Sequence, residues 1–213
     1  MALQHLLKSY SASTILIGGD SAGGNLTAAL LGHLMHPHPA ESIPRVTLSE
    51  PLLGAVLISP WVGFDISRAS YQANEYLDVI PAVAVQRWSN AFMGDAKPDN
   101  YNQPVLAPSS WWEDVPVKDV LITGGGEEVL IDEIREFAFK FKVRRSIRMP
   151  LASTQINCHC RDADDFSHSK EGHPATEILI AKGEPHDQFI GNAIMGSPPG
   201  ESDGAIYAWI AAR

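Results

Sequence analysis

Four short apolar runs set the rhythm of the chain: 14–19 (TILIGG), 54–59 (GAVLIS), 119–123 (DVLIT) and 177–181 (EILIA). Each is continuous rather than alternating and rich in β-branched residues, the pattern of strands buried on both faces of a parallel sheet. Between them lie stretches with helical spacing, over about 22–35, 82–93 and 132–142, and a last one over 204–212. Leu3, Leu6, Leu7 and Tyr10 add an amphipathic helix at the start. Strand–helix alternation of this kind predicts an α/β domain with helices crossing over between parallel strands. Two segments depart from the rhythm. Residues 36–51 are rich in Pro and Ser and read as a loop, and 143–176 carries no period at all, which predicts a disordered insert or translated intron sequence.

Composition narrows the class. Hydrophobic residues make up 45% of 213 residues, enough to bury a core and to exclude disorder of the whole chain. A net charge of -9 leaves no basic face for nucleic acid. No apolar run reaches the roughly 18 residues of a membrane span, and the first residues lack the charged and apolar regions of a secretory leader. The two cysteines, Cys158 and Cys160, are too close in sequence for a good bridge, so the chain reads as reduced and cytoplasmic. His33, His36 and His38 cluster, but prolines interrupt them and no partner sits at metal-ligand spacing, so no metal and no cofactor is expected. Cys158 and Cys160 flank His159 and are read in the same way.

The sharpest chemical signal is Gly19-Asp20-Ser21-Ala22-Gly23. It fits G-x-S-x-G and sits between a predicted strand and a predicted helix, the setting of a nucleophile elbow. Gly19 and Gly23 are expected where side chains would collide across the turn, and the Ala22 amide heads the helix, where a free N–H can hold an oxyanion. A phosphate-binding turn is the competing reading. No lysine stands where a P-loop needs one, and the glycine order is not G-x-G-x-x-G. A serine hydroxyl needs a base and the base needs a carboxylate. His186 lies just past the last predicted strand, where loops at carboxyl ends of parallel strands converge. Glu127, Glu128 and Asp132 follow the third.

The segment 19–26 (GDSAGGNL) resembles the hormone-sensitive-lipase-like branch of the α/β-hydrolases. So do 57–61 (LISPW), 101–111 (YNQPVLAPSSW), 124–134 (GGGEEVLIDEI) and 183–189 (GEPHDQF). The likeness covers most of 1–142 and 177–213, and is greatest to the fungal enzymes that resemble steryl acetyl hydrolases and secondary-metabolite esterases. It implies one partial α/β-hydrolase domain over 1–213, with Ser21 as nucleophile, His186 as base and Glu128 as acid, Asp132 being the rival. The implied activity is hydrolysis of a small-molecule carboxylic ester, a short acyl or acetyl group on an apolar alcohol. The implied alternative is a hydrolase-like binding module or an inactive fragment. One departure stands out. The family's HGGG-type loop, source of a second oxyanion donor, and the strands before the elbow have no match among residues 1–20, so truncation at the N-terminus is expected. Ile15, Leu16 and Ile17 would then lie on an open strand edge, a surface for self-association. Of the aromatics, some between Trp61 and Trp112 are expected to line a substrate pocket. Phe137, Phe139 and Phe141 are expected only to pack.

Overall fold

A computed structural model describes residues 2–143 and 175–213. The predicted insert thus falls outside the described residues, except that Val143 ends a helix and Ala175–Thr176 begin a strand. A short helix α1 (Ala2–Leu6) leads through a 3-10 turn to β1 (Leu16–Asp20), α2 (Ser21–Met35) and β2 (Leu52–Ile58). Helices α3 (Ala69–Ala73) and α4 (Ala82–Met93) precede β3 (Val117–Gly125) and α5 (Ile131–Val143). The described chain closes with β4 (Ala175–Ala181), α6 (Gln188–Met195) and α7 (Glu201–Ala211).

All four strands run parallel in the order β1-β2-β3-β4. Alternate side chains of each strand serve opposite faces. Ala55 and Leu57 of β2, with Val120 and Ile122 of β3, join Ala28 and Leu31 of α2 and Ile134, Phe137 and Phe141 of α5 in the main core. Val56 and Leu121, one residue out of phase, join Ile206 and Trp209 of α7 in a smaller second core. Helices therefore cover both faces, which is why the strands read as unbroken apolar runs rather than alternating ones.

Three expectations are corrected. The 14–19 run is not all strand: Thr14 belongs to the 3-10 turn, its amide and that of Ile15 bonding back to the Ser11 and Ala12 carbonyls, and β1 starts at Leu16. The N-terminal helix is only five residues long, with Leu3 buried while Tyr10 lies outside it and is exposed. Phe137 and Phe141 pack against Trp112, whereas Phe139, on the opposite face of α5, is 55% exposed.

Candidate active site

The carboxyl ends of β1, β3 and β4 bring three distant segments together. At the end of β1 the backbone turns straight into α2, and Ser21 sits at the turn with φ 48°, in the left-handed region that costs a non-glycine residue strain. The turn is tight enough that a Cβ on Gly19 would lie 2.4 Å from the Gly23 backbone. The steric demand is one-sided: a Cβ on Gly23 would meet only Asp20 Oδ1, at 3.9 Å, so the collision expected at both glycines exists at Gly19 alone. Ala22 follows in the first turn of α2, where backbone N–H groups have no helical acceptor behind them.

After β3, the turn Gly125–Glu128 places a carboxylate in the interior. Glu128 is fully buried. Its Oε1 accepts hydrogen bonds from the Ser59 hydroxyl at 2.5 Å and from the Gly125 amide. Its Oε2 lies 2.9 Å from His186 Nδ1. The other ring nitrogen, Nε2, lies 2.8 Å from Ser21 Oγ. The structure thus brings Ser21, Glu128 and His186 into one hydrogen-bonded line. Asp132 is elsewhere: its Oδ2 accepts the Ser70 amide at 2.9 Å, on the first turn of α5.

The histidine loop is fixed from several sides. Glu127 and Gly126 donate their amides to Glu184 and Ala181 carbonyls at 3.0 and 2.7 Å. Gly125 approaches the same loop so closely that a Cβ there would stand 2.1 Å from the Glu184 carbonyl oxygen. The Glu184 carboxylate accepts the Glu201 and Ser202 amides at the start of α7, together with the Ser202 hydroxyl. An acidic side chain at a helix N-terminus satisfies free donors and faces the positive end of the dipole.

Asp187 adds a second negative group to the imidazole, its Oδ2 standing 3.1 Å from His186 Nε2. Burial disfavours the charged ring, but hydrogen bonds to Asp187 and Glu128 and the charges of both carboxylates outweigh it, raising His186 to about 10.

A pocket of about 260 Å³ opens beside Ser21 and Ala22, walled by Trp61, Ile80, Val85, Trp88 and Leu130. Trp61 meets Trp88 and Phe64 edge-on, at 6.4 and 4.9 Å between ring centres. Trp61 therefore lines the pocket, as expected for some of the aromatics between Trp61 and Trp112, with Trp88 of α4 beside it, while Trp112 belongs to the core. Trp111 stacks on His36 at 3.8 Å. The histidine cluster is structural: His33 and His36 bond the Pro44 and Trp111 carbonyls, and among the described residues no three His, Cys, Asp or Glu side chains form a metal-binding group.

Sequence reasoning did not single out Ser59, Asn74, Asp78 or Asp187. Asp187 lies in a quoted segment beside the histidine, so its place was visible though its contact was not. Ser59 ends the predicted strand run 54–59 and also lies in a quoted segment, whereas Asn74 and Asp78 come from a stretch without period, and only folding brings them to the site.

Residues 1–156 match the model of a family described as having the alpha/beta hydrolase fold. The match takes in most of the chain, and the chain belongs to that family. Among solved structures it is similar to a hormone-sensitive-lipase homologue, EstE7 from a metagenome library, with a TM-score of 0.68 and 23% identity over 99% of this chain and 59% of that one. EstE5, in crystals soaked with p-nitrophenyl butyrate, gives a TM-score of 0.60 and 19% identity over 93% of this chain and 52% of that one. An esterase of the bacterial hormone-sensitive lipase family gives 0.58 and 20% over 87% and 49%. These likenesses establish the shared fold, and the chain spans about half the length of the structures it matches. No protein of curated function matches it. No helix among the described residues is long and apolar enough to cross a membrane.

Proposed function

We propose that the chain carries the reaction centre of a carboxylic ester hydrolase of the hormone-sensitive-lipase-like branch, working through an acyl-enzyme intermediate. The observation that carries this reading is the unbroken line from Ser21 Oγ to His186 Nε2, and from Nδ1 to the buried Glu128 carboxylate, at 2.8 and 2.9 Å. In the neutral ring Nδ1 bears the proton and donates to Glu128, which leaves Nε2 free to accept the serine proton. Ser21 Oγ then attacks the ester carbonyl carbon, and the carbonyl oxygen gathers negative charge against the Ala22 amide. Collapse expels the alcohol, which takes the proton from Nε2. Water repeats the sequence on the acyl-serine and releases the acid. No step calls for a metal or cofactor.

The pocket supports the substrate class. Its walls are apolar and aromatic, with Trp61 and Trp88 side by side, and its volume of about 260 Å³ suits a short acyl or acetyl group or a compact apolar alcohol better than a long chain. The narrower reading, an enzyme of the fungal steryl acetyl hydrolase or secondary-metabolite esterase type, rests on the sequence segments quoted above. Turnover of a steryl acetate relative to p-nitrophenyl acetate tests it. A non-catalytic binding module is the second reading, favoured by one observation, the Asp187 carboxylate held against Nε2 at 3.1 Å.

Hydrolysis of p-nitrophenyl acetate by the wild type and by Ser21→Ala decides between them. The expected result is serine-dependent release of p-nitrophenol, with the variant falling to background, a loss of at least about a thousandfold, and covalent labelling of Ser21 by a fluorophosphonate. Equal rates and no labelling would remove the hydrolase reading.

A further inference from the structure

We infer that Asp78 is a positioning residue that sets the spacing between the acid and the base, a role resting on the hydrolase reading above. Its carboxylate lies in the segment between α3 and α4 and accepts one hydrogen bond from each of two separate loops. Oδ1 accepts the backbone amide of His186 at 3.0 Å. Oδ2 accepts the backbone amide of Val129, the residue after Glu128, at 2.6 Å. One rigid group of three atoms thus ties the chain at the acid to the chain at the base.

The rest of the segment pulls in the same direction. Asn74 Nδ2 donates to the Glu128 carbonyl at 2.7 Å, and Ser70 Oγ donates to the Val129 carbonyl at 2.6 Å. The Asp78 amide in turn bonds the Asn74 carbonyl at 3.0 Å, so the segment is braced on itself before it reaches across. Asn74 and Ser70 grip the acid loop only. Asp78 is the side chain that also holds the histidine loop. A carboxylate suits the task, because it has acceptors on both oxygens and no donor, and here it meets three backbone donors, the neighbouring Val79 amide, at 2.6 Å, sharing Oδ1 with that of His186. Asparagine in its place keeps one acceptor and turns an amide N–H₂ toward the other backbone N–H, pushing one loop away. The separation at stake is the 2.9 Å from Nδ1 to Glu128, and a displacement of about 1 Å in a reacting constellation can lower turnover about a hundredfold.

Asp78→Asn and Asp78→Ala are compared with the wild type by p-nitrophenyl acetate kinetics and by proton NMR of the imidazole. Expected are a fall in kcat of about ten- to a hundredfold with KM little changed, and an upfield move or loss of the low-field His186 Nδ1–H signal. Melting temperatures are read alongside, and folded variants with wild-type kcat and an unmoved Nδ1–H signal would overturn the assignment. If the wild type itself lacks serine-dependent turnover, the hydrolase reading has failed, and the NMR signal still decides whether Asp78 sets the acid–base spacing. Native-state hydrogen exchange of the wild type needs neither turnover nor a folded variant: the Val129 and His186 amides are expected to exchange slowly and together. Fast exchange at either one would overturn the bridge.

Discussion

At His186, three oxygen-bearing side chains meet one ring: Glu128 at Nδ1, Ser21 and Asp187 at Nε2. Burial works against the charged ring and the two carboxylates work for it, with the carboxylates prevailing to about 10. A base must be neutral to accept a proton, so kcat/KM is expected to rise with pH along a limb controlled by His186 in the alkaline range. Asp187→Asn removes one negative charge from beside the ring, so that limb is expected to move to lower pH while the maximal rate is kept. A pH–rate profile of the two proteins on p-nitrophenyl acetate checks this, and an unmoved limb would detach Asp187 from the titration. Much of this constellation was legible before folding. The elbow motif marks Ser21, and a position just past a strand marks His186, because the fold delivers strand ends to one place. Between Glu128 and Asp132 the residues alone could not choose. Folding sets them apart: Glu128 points inward and meets Ser59 and His186, and Asp132 accepts the amide of Ser70. Asp78 left no trace in the sequence, since its two partners are backbone amides supplied by loops far along the chain.

Among the elements, the four strands were readable because their continuous apolar character reports burial on both faces. Their starts were not, and β2, β3 and β4 each begin two residues before the apolar run expected for them, at Leu52, Val117 and Ala175. Helices α3 and α6 went unforeseen for a physical reason. They are five and eight residues long, too short for a periodic stripe, and α3 is held by Ser70 and Tyr71 buried against its surroundings rather than by propensity. Helix α5 shows what such tertiary anchoring costs. Its Glu133 is buried, with Oε1 accepting the Asp65 amide at 3.1 Å and Oε2 without a hydrogen-bond partner. Desolvation lifts its carboxyl from the ordinary 4.5 to about 7, against the pull of the Asp65 amide and Arg68. Below 4.5 both the folded and unfolded chains hold this proton and nothing is lost. Between 4.5 and about 7 only the unfolded chain releases it, so stability falls as pH rises, by about 3 kcal/mol in all. Glu133→Gln keeps an acceptor for Asp65 and has no charge to desolvate. It is expected to be more stable than the wild type at pH 8, by up to about 3 kcal/mol, and equal to it at pH 4, as read by urea denaturation. The same difference at both pH values would contradict the account.

The whole molecule is a three-layer sandwich with its site at one end of the sheet and, among the described residues, two outer strands, β1 and β4, each paired on one side only. β1 pairs with β2 on one side and, among the described residues, with nothing on the other. The open edge that the sequence suggested at Ile15, Leu16 and Ile17 is partly filled in: Ile15 is buried in the main core and precedes the strand, while Leu16 and Ile17 are half covered. Unpaired strand backbone remains a template for another strand. The chain by itself is therefore expected to associate as its concentration rises, in sedimentation velocity, and a monomer at every concentration would show that the edge is blunted. The overall architecture was the most legible level of all, because strand–helix alternation allows few arrangements. The covering of its two faces was not, since which helix lies on which side depends on the crossovers. Ser21 and His186 lie 165 positions apart, and the polypeptide between them supplies both Glu128 and Asp78. On the ribosome the alcohol emerges early and the base late. A polypeptide ending before His186 would lack the imidazole that meets Ser21 Oγ, so on the proposed reading competence comes only with the last part of the chain to be translated.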